Sequence, residues 1–199
     1  MTAGDVDRCL AVSERLVAVA RRYDFPTHVT EGQFIGGWAR VQHADIVAGV
    51  EQIQKAFASK LRHYLAHDSG RLAEALCLAG RESEALAVLN RTLEEAIEPD
   101  AGLYLPELHR LRGELMLRLD PASRNAALST IDAAVALATK MGARALALRA
   151  ATSRVRIADA RLNADDPAAT QLRQIYDGFS EGFDGPDLKE AKALLNSLR

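Results

Sequence analysis

A chain of 199 residues, 48% of them apolar, is long enough to bury a sizeable core as one large unit or two small ones. Its 25 basic and 27 acidic side chains leave a net charge near −2, so it has no cationic surplus for a phosphate backbone, which argues against nucleic-acid binding. Alanine occurs 36 times and aromatics make up only 5%, a balance that favours close-packed helices over sheet.

Met1 to Arg8 carry Asp5 and Asp7 and lead into no apolar run, so neither a signal peptide nor a membrane span is expected. From about residue 6 to 23, Leu10, Val12, Leu16, Val17 and Ala20 recur at helical spacing. No partner helix precedes this segment, so it reads as an orphan helix whose open face is a possible homodimer surface. Cys9 lies in it and Cys77 far downstream, both in helical patterns, as small buried apolar residues rather than a disulfide framework. That usage places the chain in a reducing cytoplasm.

A helical hairpin is predicted over about 28–58, where Gly37 and Gly49 stand twelve residues apart and Ile53 and Ala56 follow. The next, about 62–98, repeats the spacing with Ala73 and Ala85, then Leu89 and Thr92, at a period of 36 residues. Its first helix carries Leu72 and Leu76 and ends at Gly80, which suits a left-handed C-terminal residue. Glu82 and Glu84 then open the second helix, where acids favour the helix dipole.

Downstream, over about 103–141, Gly113 and Met116 are followed by Asp120-Pro121 in a turn two residues longer, and then by Ala127, Ile131 and Ala134. A more degenerate unit, about 144–180, places Val155 and Ala158 before an Asn163 to Pro167 turn and Ala168, Leu172 and Ile175 after it. Pro186 opens a last helix, about 186–198, with Leu188, Ala191, Leu194, Leu195 and Leu198 at helical spacing, which would cap the stack.

With small residues twelve apart and large ones beside them, these hairpins resemble the tetratricopeptide repeat, in which the small positions let paired helices cross closely. The resemblance implies an all-α, tetratricopeptide-like right-handed solenoid of antiparallel helix pairs with a C-terminal capping helix, running through the chain as one domain. Three stretches, Glu107 to Leu117, Gly142 to Ser153 and Phe179 to Leu195, are similar to something narrower. They resemble the carboxyl-terminal repeat region of large bacterial signalling ATPases, in which a nucleotide-cyclase or winged-helix domain precedes a P-loop ATPase and a helical array. That likeness covers most of the chain after Gly32 and implies a regulatory sensor or scaffold arm. The sequence itself contains no phosphate-cradling glycine-rich loop.

Chemistry-bearing residues are sparse. His63 and His67, four apart on a helix, have zinc-ligand spacing but no glutamate directly after the first histidine and no evident third ligand. Glu94, Glu95, Glu98 and Asp100 point different ways around a helix end and read as solvated charges. Ser153 and Ser180 lack a nucleophile-elbow context. No catalytic site, metal or cofactor is expected.

In such repeats the first helix of each pair faces a concave groove, and the register projects Phe34, Trp38, Glu74, Arg110, Glu114, Arg149 and Arg156 into it as partner-binding residues. Trp38, the sole tryptophan, is either a binding anchor beside Phe34 or packs against the neighbouring repeat. Arg110, Arg149 and Arg156 either grip carboxylates of a peptide or are neutralised by Glu107 and Glu114. The expected function is non-catalytic: a protein-interaction or regulatory scaffold module that binds a protein or peptide segment. Its rivals are a small-molecule-sensing arm of a cyclase or ATPase system and a truncated remnant that dimerises through its first helix.

Overall fold

The computed structural model describes residues 3–59, 65–95, 102–158 and 165–198, and among them the regular structure is entirely helical. The chain divides into two compact units, Met1–Ile97 and Glu98–Arg199. The first contains α1 (Ala3–Arg22), α2 (Pro26–Gln42), α3 (Ile46–Ala58), α4 (Leu65–Leu78) and α5 (Glu82–Glu95). The second contains α6 (Leu105–Leu119), α7 (Arg124–Lys140), α8 (Arg144–Ile157), α9 (Pro167–Asp177) and α10 (Pro186–Ser197).

Several helices are joined by the same turn. The amides of Phe25, Asp45, Arg81 and Ala143 donate to the carbonyls of Ala20, Arg40, Leu76 and Ala138, at 2.8, 3.0, 2.8 and 2.9 Å. Each bond closes over a left-handed residue: Asp24, Ala44, Gly80 or Gly142. This pattern satisfies a helix's last carbonyls and reverses the chain at once. The α6–α7 connection differs because Pro121 cannot donate. There Asp120 accepts from the Ala122 amide at 2.9 Å, and the Ser123 hydroxyl donates to the Met116 carbonyl, also at 2.9 Å.

In the first unit α2 packs against α1, α3 and α4, and α4 against α3 and α5. Small residues set how closely. A β-carbon on Gly37 would lie 2.9 Å from the Gly49 carbonyl oxygen and 2.8 Å from Ile53, while one on Gly49 would meet Val41 at 2.7 Å. Partner numbers fall on α3 as they rise on α2, so the two helices run antiparallel. Ala73 and Ala85 are both fully buried in the α4–α5 pair.

The second unit repeats the device at Gly113, where a β-carbon would lie 2.9 Å from the Ala127 carbonyl oxygen and 2.6 Å from Ile131. Its core joins Val135, Leu148, Val155 and Leu172 with Leu188, Ala191 and Leu195 of α10, which packs on α8 and α9. Asp166 starts α9 by accepting from the Ala168 amide at 2.8 Å, with Pro167 in the first helical position. Among the described residues, no helix is long and apolar enough to cross a membrane.

Candidate functional site

Helix α6 carries Glu107, Arg110 and Glu114, and offsets of three and four residues put both carboxylates on the face of the arginine. Arg110 uses its whole fork. Its Nε donates to Glu107 Oε2 at 3.0 Å, its Nη2 to Glu107 Oε1 at 2.7 Å and its Nη1 to Glu114 Oε1 at 2.8 Å. Helix α8 adds Arg149, whose Nη2 lies 2.9 Å from Glu107 Oε1, and Ser153, whose hydroxyl donates to Glu114. Arg156, also on α8, bridges Glu114 and Glu190 of α10. Three guanidinium groups thus meet three carboxylates across α6, α8 and α10.

Burial decides what this network is worth. The Arg110 side chain is 8% exposed and those of Glu107 and Glu114 are 14% and 20% exposed, so the ions are largely out of water and depend on one another. Burial alone would raise the Glu114 pKa, but the Arg110 charge, the Ser153 hydroxyl and the Arg156 charge outweigh it and hold the carboxyl below its ordinary value. On α6, burial and then the Arg112 charge lower the pKa of His109, which favours its neutral form. Beside the network, Arg149, Thr152, Asp187 and Glu190 border a cleft of about 80 Å³. Small-molecule sites usually offer about 300–1,000 Å³, so this is a joint between helices rather than a ligand pocket.

The second unit therefore brings together Arg110, Glu114, Arg149 and Arg156, though not as free groove residues. Arg110 is buried and paired within its own helix; neutralisation by Glu107 and Glu114 is the alternative realised. Arg156, 48% exposed, is the most accessible of the four. Glu190, which sequence reasoning missed, sits on the last helix, 34 residues from its partner, where no local pattern could reveal the pair.

No family model matches the chain. Nor does any solved structure. An uncharacterized protein of Rhizobium meliloti (strain 1021) is 27% identical over 156 residues, a match covering 73% of this chain and 14% of that relative's length. The chain thus corresponds to a small fraction of that protein.

In the first unit, Phe34 is 1% exposed and belongs to the core, which corrects its projection into a groove. The physical reason is that α2 is covered by three neighbouring helices, so the face that a lone hairpin would leave open is closed. Trp38 is half-buried, with the Arg71 guanidinium 5.9 Å from its ring centroid, a cation–π contact across α2 and α4. Glu74 is half-buried on α4.

Ser69 and Thr92 share a buried hydroxyl bond of 2.7 Å, and Asp68, also buried, lies 3.0 Å from His67 Nδ1. His63, Glu98 and Asp100 lie outside the described residues. Among those described, no three potential ligands gather to hold a metal ion. Cys9 and Cys77 form no disulfide and are half-buried rather than fully internal.

Proposed function

We propose that this chain is a non-catalytic protein-interaction or scaffold module, a tetratricopeptide-like right-handed solenoid of helix pairs ending in a capping helix, which binds a partner segment on its concave face. The observation that carries this reading is recurrent small-residue packing: Gly37 closes on Gly49 and Gly113 on Ala127, and Ala73 and Ala85 are fully buried in the α4–α5 pair. Tight small-residue crossings at nearly constant spacing characterise stacked hairpin repeats, whose shared use is a preformed, extended binding surface.

The accessible part of that surface is narrower than the register projects. Each unit has its own accessible residues: Trp38 with Arg71 and Glu74 in the first, and Arg149 and Arg156 beside Asp187 and Glu190 in the second. A rigid indole already paired with a cation, and arginines already oriented by carboxylates, lose little freedom when they meet a peptide. The match to a small part of a much longer relative agrees with service as one arm of a larger protein. The resemblance of Glu107 to Leu117, Gly142 to Ser153 and Phe179 to Leu195 is what suggests a signalling protein of the cyclase or ATPase kind.

Photo-crosslinking tests this reading. A benzophenone amino acid at position 38 or 156 should trap one defined protein in cells of the source organism, while the same probe at exposed Lys140 and Arg173 should not. Equal adducts at all four positions, or none at 38 and 156, would overturn it.

One observation favours a second reading, self-association through α1. Val12, Val19 and Tyr23 are 59%, 47% and 58% exposed and are spaced seven and four residues apart, an apolar stripe at helical period. Leu10 and Leu16 are half-buried, so the stripe rather than those leucines is the surface to alter. A dimer in solution that dissociates in Val12→Glu/Val19→Lys would support it, and a wild-type monomer would reject it.

A further inference from the structure

The first unit contains a second feature that owes nothing to the concave face: an open groove of about 600 Å³ between α1 and α3, with α2 as its floor. The floor is formed where α2 has no side chains. A β-carbon on Gly32 would strike Val17 at 2.7 Å, and one on Gly36 would lie 2.9 Å from the Ser13 hydroxyl and 3.0 Å from Gln52 Nε2. Both walls therefore stand directly on the α2 backbone. The volume falls in the usual range of small-molecule sites.

Arg40 gives the groove its chemistry. Its Nε is buried with no hydrogen-bond partner, and its Nη atoms come only to 3.9 Å from Glu14 and 3.7 Å from Asp45, ion-pair distances too long for hydrogen bonds. The second unit supplies an internal comparison. There a groove of about 690 Å³ is lined by residues of α7, α8 and α9, and its arginine, Arg154, is locked by an Nε to Asp132 bond of 2.6 Å. Arg40 has no such lock: its Nε is closed off from solvent, and the Nη end of a side chain 37% exposed is the part a groove ligand can reach.

The remaining lining narrows the ligand. Arg21, Arg40 and Lys55 line the groove with Glu14 and Glu51, and Asp45 beside Arg40 offsets the one surplus positive charge, a balance that tolerates at most a monoanion and disfavours a polyphosphate. A carboxylate matches the fork of a guanidinium. Leu10, Val17 and Ala48 supply apolar wall for a hydrocarbon body. We propose that the α1–α3 groove is a binding site for a small organic monocarboxylate, with its carboxylate on Arg40 and its apolar part along α1 and α3. This site is independent of the protein-binding reading.

The test is a titration of the intact ¹⁵N-labelled protein with hexanoate and with phenylacetate, using hexanamide and inorganic phosphate as counter-probes. Saturable shifts confined to amides of α1, α2 and α3 are expected with at least one acid, and hexanamide and phosphate should bind about tenfold more weakly or not at all. Arg40→Gln should cost about tenfold in affinity, the scale of a lost hydrogen bond to a charged group. Ala48→Phe, a change at an exposed position, should block the groove with Arg40 intact. Absence of saturable shifts with both acids, equal binding of the amide, or unchanged affinity in Ala48→Phe would each overturn the proposal. These arms decide the matter even if Arg40→Gln fails to fold.

Discussion

Gly37 and Gly49 face each other so closely that a β-carbon on either would lie 2.9 or 2.8 Å from the other's carbonyl oxygen. Backbone opposes backbone here, so neither side can yield by changing a rotamer. Gly37→Ala should destabilise the protein by about 1–3 kcal/mol even after the gain in helix propensity. Gly102→Ala, where a β-carbon would meet nothing within 4 Å, should move the urea midpoint little. Equal midpoints for the two variants would show that the crossing tolerates a wider separation.

The reverse substitution should act the other way at Ala44. This residue sits at φ 67°, a left-handed conformation that costs an L-residue about 1–2 kcal/mol, while glycine gives back roughly 0.5–1 in chain entropy. Ala44→Gly should therefore raise stability by about 0.5–1 kcal/mol, read as a later urea midpoint at unchanged slope.

Arg110 and Arg156 touch the same carboxylate but should differ in importance. Truncating Arg110 to Met removes the most buried partner of both carboxylates, leaving Glu107 to Arg149 and Glu114 to Arg156 and Ser153, and should cost about 2–3 kcal/mol. Arg156→Ala removes a half-exposed partner and should cost under about 1 kcal/mol. Arg110→Lys should fail to restore stability, because an ammonium cannot reproduce the three-way fork. Comparable losses for Arg110→Met and Arg156→Ala in denaturant unfolding would contradict the burial argument.

The pH dependence follows from the same site. Glu114 is held below the ordinary carboxylate value of 4.5 against the opposing effect of burial, so its folded form binds its proton less readily than the unfolded chain. That stability is complete above 4.5 and is lost as pH falls through the lower, folded value. Glu114→Gln should flatten the stability profile on the acid side of 4.5. His109 works in the window above it: its lowered pKa makes the folded protein resist protonation, so stability should fall as pH drops below 6.5, and His109→Gln should remove that slope.

Much of this arrangement was legible in the sequence because it rests on local rules. The small residues at 37, 49, 113 and 127 mark crossings and those at 73 and 85 buried positions, Gly80 a left-handed turn, and Glu107, Arg110 and Glu114 share a face by spacing alone. What could not be read depends on packing between hairpins. Phe34 is buried on α2, a helix packed by α1, α3 and α4 together, which the pattern of one hairpin could not reveal. Ser153 and Glu190 join the arginine network across separations of 39 and 34 residues. Arg40 resembles any arginine near a helix end until the distances to Glu14 and Asp45 show how loosely it is held.

The left-handed turns at Asp24, Ala44, Gly80 and Gly142 have a consequence for the lineage of the chain. Each hands the polypeptide to the next helix by the same backbone path, with the reaching amide five residues past its carbonyl. A duplicated segment spliced in at such a joint meets the same entry and exit geometry as the one it copies. Joints of one geometry let a helix be added or removed there without its neighbouring turns being rebuilt.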